Sequence, residues 1–96
     1  MYNYVMLMGR VKAVSEKPES DRKVAQISLS VQRPFRNEEG EFPVDVFEVF
    51  AFELLADIVL ERIKVGRSIT IKGRLVPHGD AAMIVAERIM FAEEMA

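Results

Sequence analysis

Between Val24 and Gln32 the chain alternates without a break, with Ala25, Ile27, Leu29 and Val31 apolar and Gln26, Ser28, Ser30 and Gln32 polar. A period of two belongs to a strand with one face on a core and the other toward water. One such strand is not stable alone, so the remainder of the 96 residues must supply its partners. At about 150 residues per domain there is room for one unit, read as a single domain over 1–96 with no C-terminal disordered tail. Without cysteine there is no disulfide scaffold, thiolate zinc site or cysteine nucleophile, and the hydrophobic core must hold the fold. A chain near this size buries only about two-thirds of its unfolded surface. A homo-oligomer, dimer or tetramer, is therefore expected.

The pattern extends in both directions. From Tyr2 to Val14 the odd positions Val5, Leu7, Val11 and Ala13 are apolar, with Gly9 interrupting, and the even positions run Tyr4, Met6, Met8, Arg10, Lys12. This is a first strand whose even face is apolar at one end and basic at the other. Ser15 to Arg22 is a polar loop with Pro18, and Arg33 to Glu41 reads as a hairpin loop that Pro34 opens. Val44 to Phe52 is apolar on both sides, with Phe47, Val49 and Ala51 on one and Val46, Phe50 and Phe52 on the other, broken by Glu48. A small barrel buries one face of each strand, so the second face calls for cover by a ligand or a subunit. Glu53 to Ile63 carries Leu54, Leu55, Ile58 and Val59 at helical spacing and ends near Gly66. Ser68 to Val76 alternates again, Ile69, Ile71 and Leu75 inward and Thr70, Lys72 and Arg74 outward. Pro77 to Asp80 makes a turn and Ala82 to Phe91 a last strand.

Three strands, a helix and two strands give an all-β chain: a five-stranded OB-fold Greek-key barrel with one short helix between strands 3 and 4. The rival, a ferredoxin-type α+β sheet, needs a helix after its first strand, and Ser15 to Lys23 with Pro18 is a poor one.

The segments NYVMLMGRV at 3–11, VAQISLSVQR at 24–33, FRNEEGE at 35–41, Leu55-Ala56 and GRSITIKGRL at 66–75 resemble, in order and spacing, the pattern of bacterial single-stranded DNA-binding proteins. The related primosomal replication protein shares the stretch from Gly66 to Gly73. The resemblance implies an OB-fold that stacks bases on aromatic rings and holds phosphates with basic side chains. It implies sequence-independent binding of single-stranded DNA in replication, recombination or repair, in a bacterial or phage setting. Phe35 matches a stacking position after the second strand and Phe52 one at the end of the third. Val46 falls where the family usually has Trp, and only Pro77 to Asp80 stands where it carries a long basic hairpin with a further aromatic. Stacking is worth about 1 to 3 kcal/mol per base, so these departures predict weaker binding than is usual for the family.

The residues themselves name the same candidates. Arg10, Lys12, Arg33, Arg36, Lys72 and Arg74 are read as phosphate contacts, and Phe35, Phe50 and Phe52 as stacking rings. If the first and fourth strands pair, Arg10, Lys12, Lys72 and Arg74 are expected near one another. Tyr4, Met6 and Met8 look like the oligomer interface, because outward apolar positions call for cover and Met adapts to a partner. With 13 basic and 15 acidic residues, net −2, there is no general pull on a polyanion, so phosphate binding must be local.

Catalysis has no support: there is no phosphate-binding Gly-rich loop, no GxSxG and no HExxH. One His and no Cys cannot build a metal cluster of those ligands, and no cofactor is expected. Met1 to Arg10 has no basic start of a signal peptide, and no run approaches the roughly 18 apolar residues of a membrane span, so a cytoplasmic protein with no membrane partner is expected. The alternative in a different class is a primosome-type accessory factor or OB-fold interaction subunit with weak DNA affinity, for which other replication proteins would be the partners.

Overall fold

The computed structural model describes residues 1–17 and 21–91. Its elements are β1 (Val5–Glu16), β2 (Val24–Gln32), β3 (Val44–Phe52), α1 (Leu54–Arg62), β4 (Ser68–His78) and β5 (Ala81–Phe91). The strands close into a barrel in the order β1-β2-β3-β5-β4, the OB-fold plan that the element order implied. The expected absence of a tail falls partly on residues 92–96, which lie outside the described residues, as does Pro18. Among the described residues no helix is long and apolar enough to cross a membrane.

Closure depends on β1 serving two neighbours. Val5 to Arg10 pair antiparallel with β4, from Val5 opposite Gly73 to Arg10 opposite Ser68. Arg10 to Glu16 pair with β2, from Arg10 opposite Ser30 to Glu16 opposite Ala25. At the changeover stands Gly9, where an added Cβ would lie 2.3 Å from the Ser30 carbonyl oxygen. A second close approach occurs at Gly73, whose Cβ would lie 2.2 Å from the Val85 carbonyl oxygen. Two strands thus come close where the barrel bends, and only a residue without a side chain admits them.

The interior is filled by Val11, Ile27, Leu29, Val49, Ile69 and Ile71, none more than 1% exposed. Each such burial contributes about 1.5 to 3 kcal/mol. Ala56 and Val59 of α1, with Ile63 just beyond it, join the same core. The helix starts after Glu53, which turns the chain out of β3 in a left-handed conformation (φ 57°). That residue is held from both ends, because its backbone N–H donates to the Lys23 carbonyl at 2.9 Å and its carboxylate accepts from Arg22 Nε at 2.8 Å.

Several boundaries and facings differ from the alternation. β1 begins at Val5 and runs on through Ser15 and Glu16. A bulge between Val11 and Ala13 adds one residue, Lys12, and reverses the facing beyond it. Ala13, expected inward, is therefore exposed, and Val14 packs against the core instead. Thr70 points outward yet is only 2% exposed, because Met8 and Met90 flank it across the two ladders. Leu75, expected in the core, is 45% exposed: it lies past Gly73, where β1 no longer covers β4. Pro77 and His78 belong to β4, and the turn to β5 is Gly79-Asp80, with Gly79 at φ 62°.

The steric argument at Gly9 is checked by Gly9→Ala. With the Ser30 carbonyl in the way, the variant is expected to lose about 1 to 3 kcal/mol, a fall in Tm of several degrees at fixed protein concentration. An unchanged Tm would show that the strands can separate there without cost.

Candidate nucleic-acid interface

The outward sides of β1, β2 and β3 form one continuous curved surface. Cross-strand register sorts it into rows: Arg10, Ser30 and Val46, then Ala13, Ser28 and Glu48, then Ser15, Gln26 and Phe50. The last row continues through Val85 of β5 to Arg74 of β4. Successive rows are about 6.6 Å apart along a strand. Phe52 stands one step beyond Phe50 on the same side.

The basic end of this surface is an open cleft of about 530 Å³ lined by Arg10, Lys12, Ser30, Val44, Val46 and Val65. Arg10 and Lys12 are exposed, and their side chains make no ion pair among the described residues. The aromatic end holds Phe50 and Phe52, both half-buried. The Arg22 guanidinium lies over the Phe52 ring, 4.6 Å from its centroid, and covers one face of it. Arg74 meets Glu87 at only 3.5 Å, with both side chains about half exposed.

The loop from Arg33 to Pro43 is ordered by its own contacts. The Asn37 side-chain oxygen accepts from the N–H of Glu39 at 3.0 Å and of Glu41 at 2.9 Å. Arg36 donates to the Gly40 carbonyl at 2.8 Å while its guanidinium covers Phe42 at 4.6 Å. Phe35 is left 79% exposed. At the loop mouth Arg33 grips Asp45 with two bonds, Nε at 2.9 Å and Nη2 at 2.8 Å. That hydrogen-bonded pair holds the Asp45 carboxyl below the ordinary aspartate range and pushes Arg33 upward.

Lys72 lies elsewhere. β1 and β4 do pair, but the register sets Lys72 opposite Met6 and Arg88, four residues along from the Arg10–Ser68 pair. The four basic residues of β1 and β4 therefore do not form one cluster. Lys72 Nζ stands 5.3 Å from the Tyr4 ring centroid, on the stripe where Tyr4, Met6 and Met8 are 56%, 52% and 62% exposed. The stripe is aligned by Asn3, whose side chain donates to the Leu75 carbonyl at 2.7 Å and accepts from its N–H at 2.8 Å.

Residues 2–79 match the Single-strand binding protein family. The chain belongs to the single-strand binding protein family. Over 77 residues it is 36% identical to Single-stranded DNA-binding protein 1 of Streptococcus pyogenes serotype M6, which covers 78% of this chain and 59% of that protein. The chain thus spans less than two thirds of the length of its curated relatives. A small single-stranded DNA-binding protein from Mycoplasma pneumoniae has a similar structure, with TM-score 0.77 and 20% identity over 97% of each chain. So does the Plasmodium falciparum SSB in complex with single-stranded DNA, with TM-score 0.72 and 22% identity over 95% of each chain. At these identities the structural likeness speaks to the fold.

Around the face formed by β1, β2 and β3 the sequence reading missed the contacts of Arg36 with Phe42 and of Arg22 with Phe52. Phe42-Pro43 was the available signal, an aromatic just before the third strand. Nothing local announces Arg22, which reaches its ring only because Val24 pairs with Phe52.

The Arg33–Asp45 clamp gives a pH test. A carboxyl whose folded pKa lies below its unfolded value stabilises the fold above that unfolded value, about 3.9, and stops doing so as pH falls through the folded one. An NMR titration should put the Asp45 midpoint below about 3.9, and Arg33→Ala should return it upward. A midpoint unmoved by Arg33→Ala would break the assignment of the clamp.

Proposed function

We propose that the chain binds single-stranded DNA without strong sequence dependence, in replication, recombination or repair. The observation that carries this reading is the open face of β1, β2 and β3, with cations that make no ion pair among the described residues at one end and half-buried rings at the other. Single strands need both groups, a basic track for phosphates and flat apolar rings for bases. In this reading Phe35, Phe50 and Phe52 stack bases, and Arg10, Lys12, Arg36 and Arg74 neutralise phosphates. Arg33 joins only by sharing its guanidinium with Asp45, and Lys72, beside Tyr4 and opposite Met6 on the apolar stripe, falls outside this path. Family membership supports the reading, as does the relative named for single-stranded DNA binding.

Binding by these groups requires no bond to be made or broken. Stacking supplies affinity that any base can use, and each neutralised phosphate releases counterions. The exposed stripe of Tyr4, Met6 and Met8 is proposed as the surface on which a second copy docks, since removing it from water would offset the small core.

Fluorescence anisotropy of a labelled single strand across a salt series tests the binding. Phe52→Ala is expected to weaken it about 5-fold to 100-fold, the equivalent of one lost stack. Arg10→Ala and Lys12→Ala should each lower the salt slope by about 0.7. No binding at low salt would overturn the proposal and favour an interaction subunit, in keeping with the acids Glu38, Glu39 and Glu41 in the loop beside the face. For the second surface, Met8→Glu should reduce the solution mass to that of one chain, and an unchanged mass would remove the stripe from the interface.

A further inference from the structure

Glu48 stands in the middle of the face just described. It occupies the outward side of β3, opposite Ser28, with Val46 before it and Phe50 after it on the same side. An anion is out of place on a surface meant for phosphates, so its surroundings matter. Both neighbouring donors of β2 bond to one oxygen: Gln26 Nε2 and Ser28 Oγ each reach Glu48 Oε1 at 2.7 Å. Among the described residues nothing donates to Oε2. The carboxylate of this exposed residue is thus held toward β2 through one oxygen, and the other keeps its lone pairs for a further donor. Among the described residues no cation pairs with it, Arg10 and Lys12 included.

We infer that Glu48 reads base chemistry, favouring bases that carry an exocyclic amino group over thymine or uracil. The inference rests on the single-strand reading of this face. A base stacked on Phe50 has its edge within reach of a residue about 6.6 Å away along the strand. Cytosine and adenine offer an amino group there, and guanine offers N1–H beside its amino group, all donors that a carboxylate accepts. Thymine and uracil offer a single N3–H between two carbonyl oxygens, each of which a carboxylate repels. Gln26 and Ser28 hold the acceptor in place before the base arrives, which reduces the ordering cost of the bond.

The test is anisotropy binding, near neutral pH, of labelled oligo-dC, oligo-dU and an oligomer of N4,N4-dimethyl-deoxycytidine, each about 15 nucleotides long. Oligo-dU differs from oligo-dC in the base edge and lacks the thymine methyl, and the dimethyl strand keeps the cytosine ring but loses its donor. The protein is expected to bind oligo-dC about threefold to tenfold more tightly than either. Glu48→Gln should tighten binding to every strand, by removing a negative charge, and bring the dC to dU ratio to one or below. Equal affinities in the unchanged protein, or a ratio that survives Glu48→Gln, would overturn the inference and leave single-strand binding intact. Failure of all three strands to bind would overturn the single-strand reading itself, and this inference with it.

Discussion

The double pairing of β1 is the constraint on which the rest of the molecule depends. A strand that bonds to β4 with its first half and to β2 with its second closes the barrel, and the changeover at Gly9 and Arg10 leaves no room for a side chain at Gly9. Closure removes the exposed edges that five strands would otherwise present. It also divides the outer surface of one strand between two neighbourhoods. The first half of β1 carries Met6 and Met8 alongside β4, with Tyr4 just before it, and the second half carries Arg10 and Lys12 toward β2 and β3. An apolar stripe suited to a protein surface and a polar face suited to a strand of nucleic acid thus come from one element.

Charge on that face is used in two ways. Arg22, Arg33 and Arg36 are engaged by Glu53, Asp45 and the Gly40 carbonyl, and two of them also lie over aromatic rings. These contacts hold the loops around the face in shape before anything binds. Among the described residues no such contact holds Arg10 or Lys12. With a net charge of −2 the chain exerts no long-range attraction on a polyanion, so in the proposed binding these local cations act at contact distance.

Most of the fold was legible in the sequence, because the period-two segments are long and the helix lies between the third and fourth of them. Val24 to Gln32 could be placed residue by residue, since β3 runs antiparallel to it in unbroken register along its whole length and the bulge in the other ladder lies on β1. Ala13 could not, because a single bulged residue reverses facing without changing composition. The exposure of Leu75 and the burial of outward-facing Thr70 were not legible for a different reason: exposure depends on which strand lies alongside, and that is set by where β1 stops. At the candidate site the identities of the aromatic and basic residues were visible, but their groupings were not. Alternation puts Arg10 and Lys72 on outward faces without saying that the antiparallel register separates them. Glu48 was visible as an acid among rings, while its bonds to Gln26 and Ser28 required the pairing of β2 with β3.

The central claim is that a single strand lies across β1, β2 and β3 rather than along the Tyr4, Met6 and Met8 stripe. Backbone-amide shift mapping by NMR during titration with an unlabelled single-stranded oligonucleotide tests it most directly. The expected result is that shifts concentrate at Arg10, Lys12, Gln26, Ser28, Glu48, Phe50 and Phe52, with Tyr4, Met6 and Met8 little changed. Shifts centred on Tyr4 to Met8, with Phe50 and Phe52 unmoved, would contradict it.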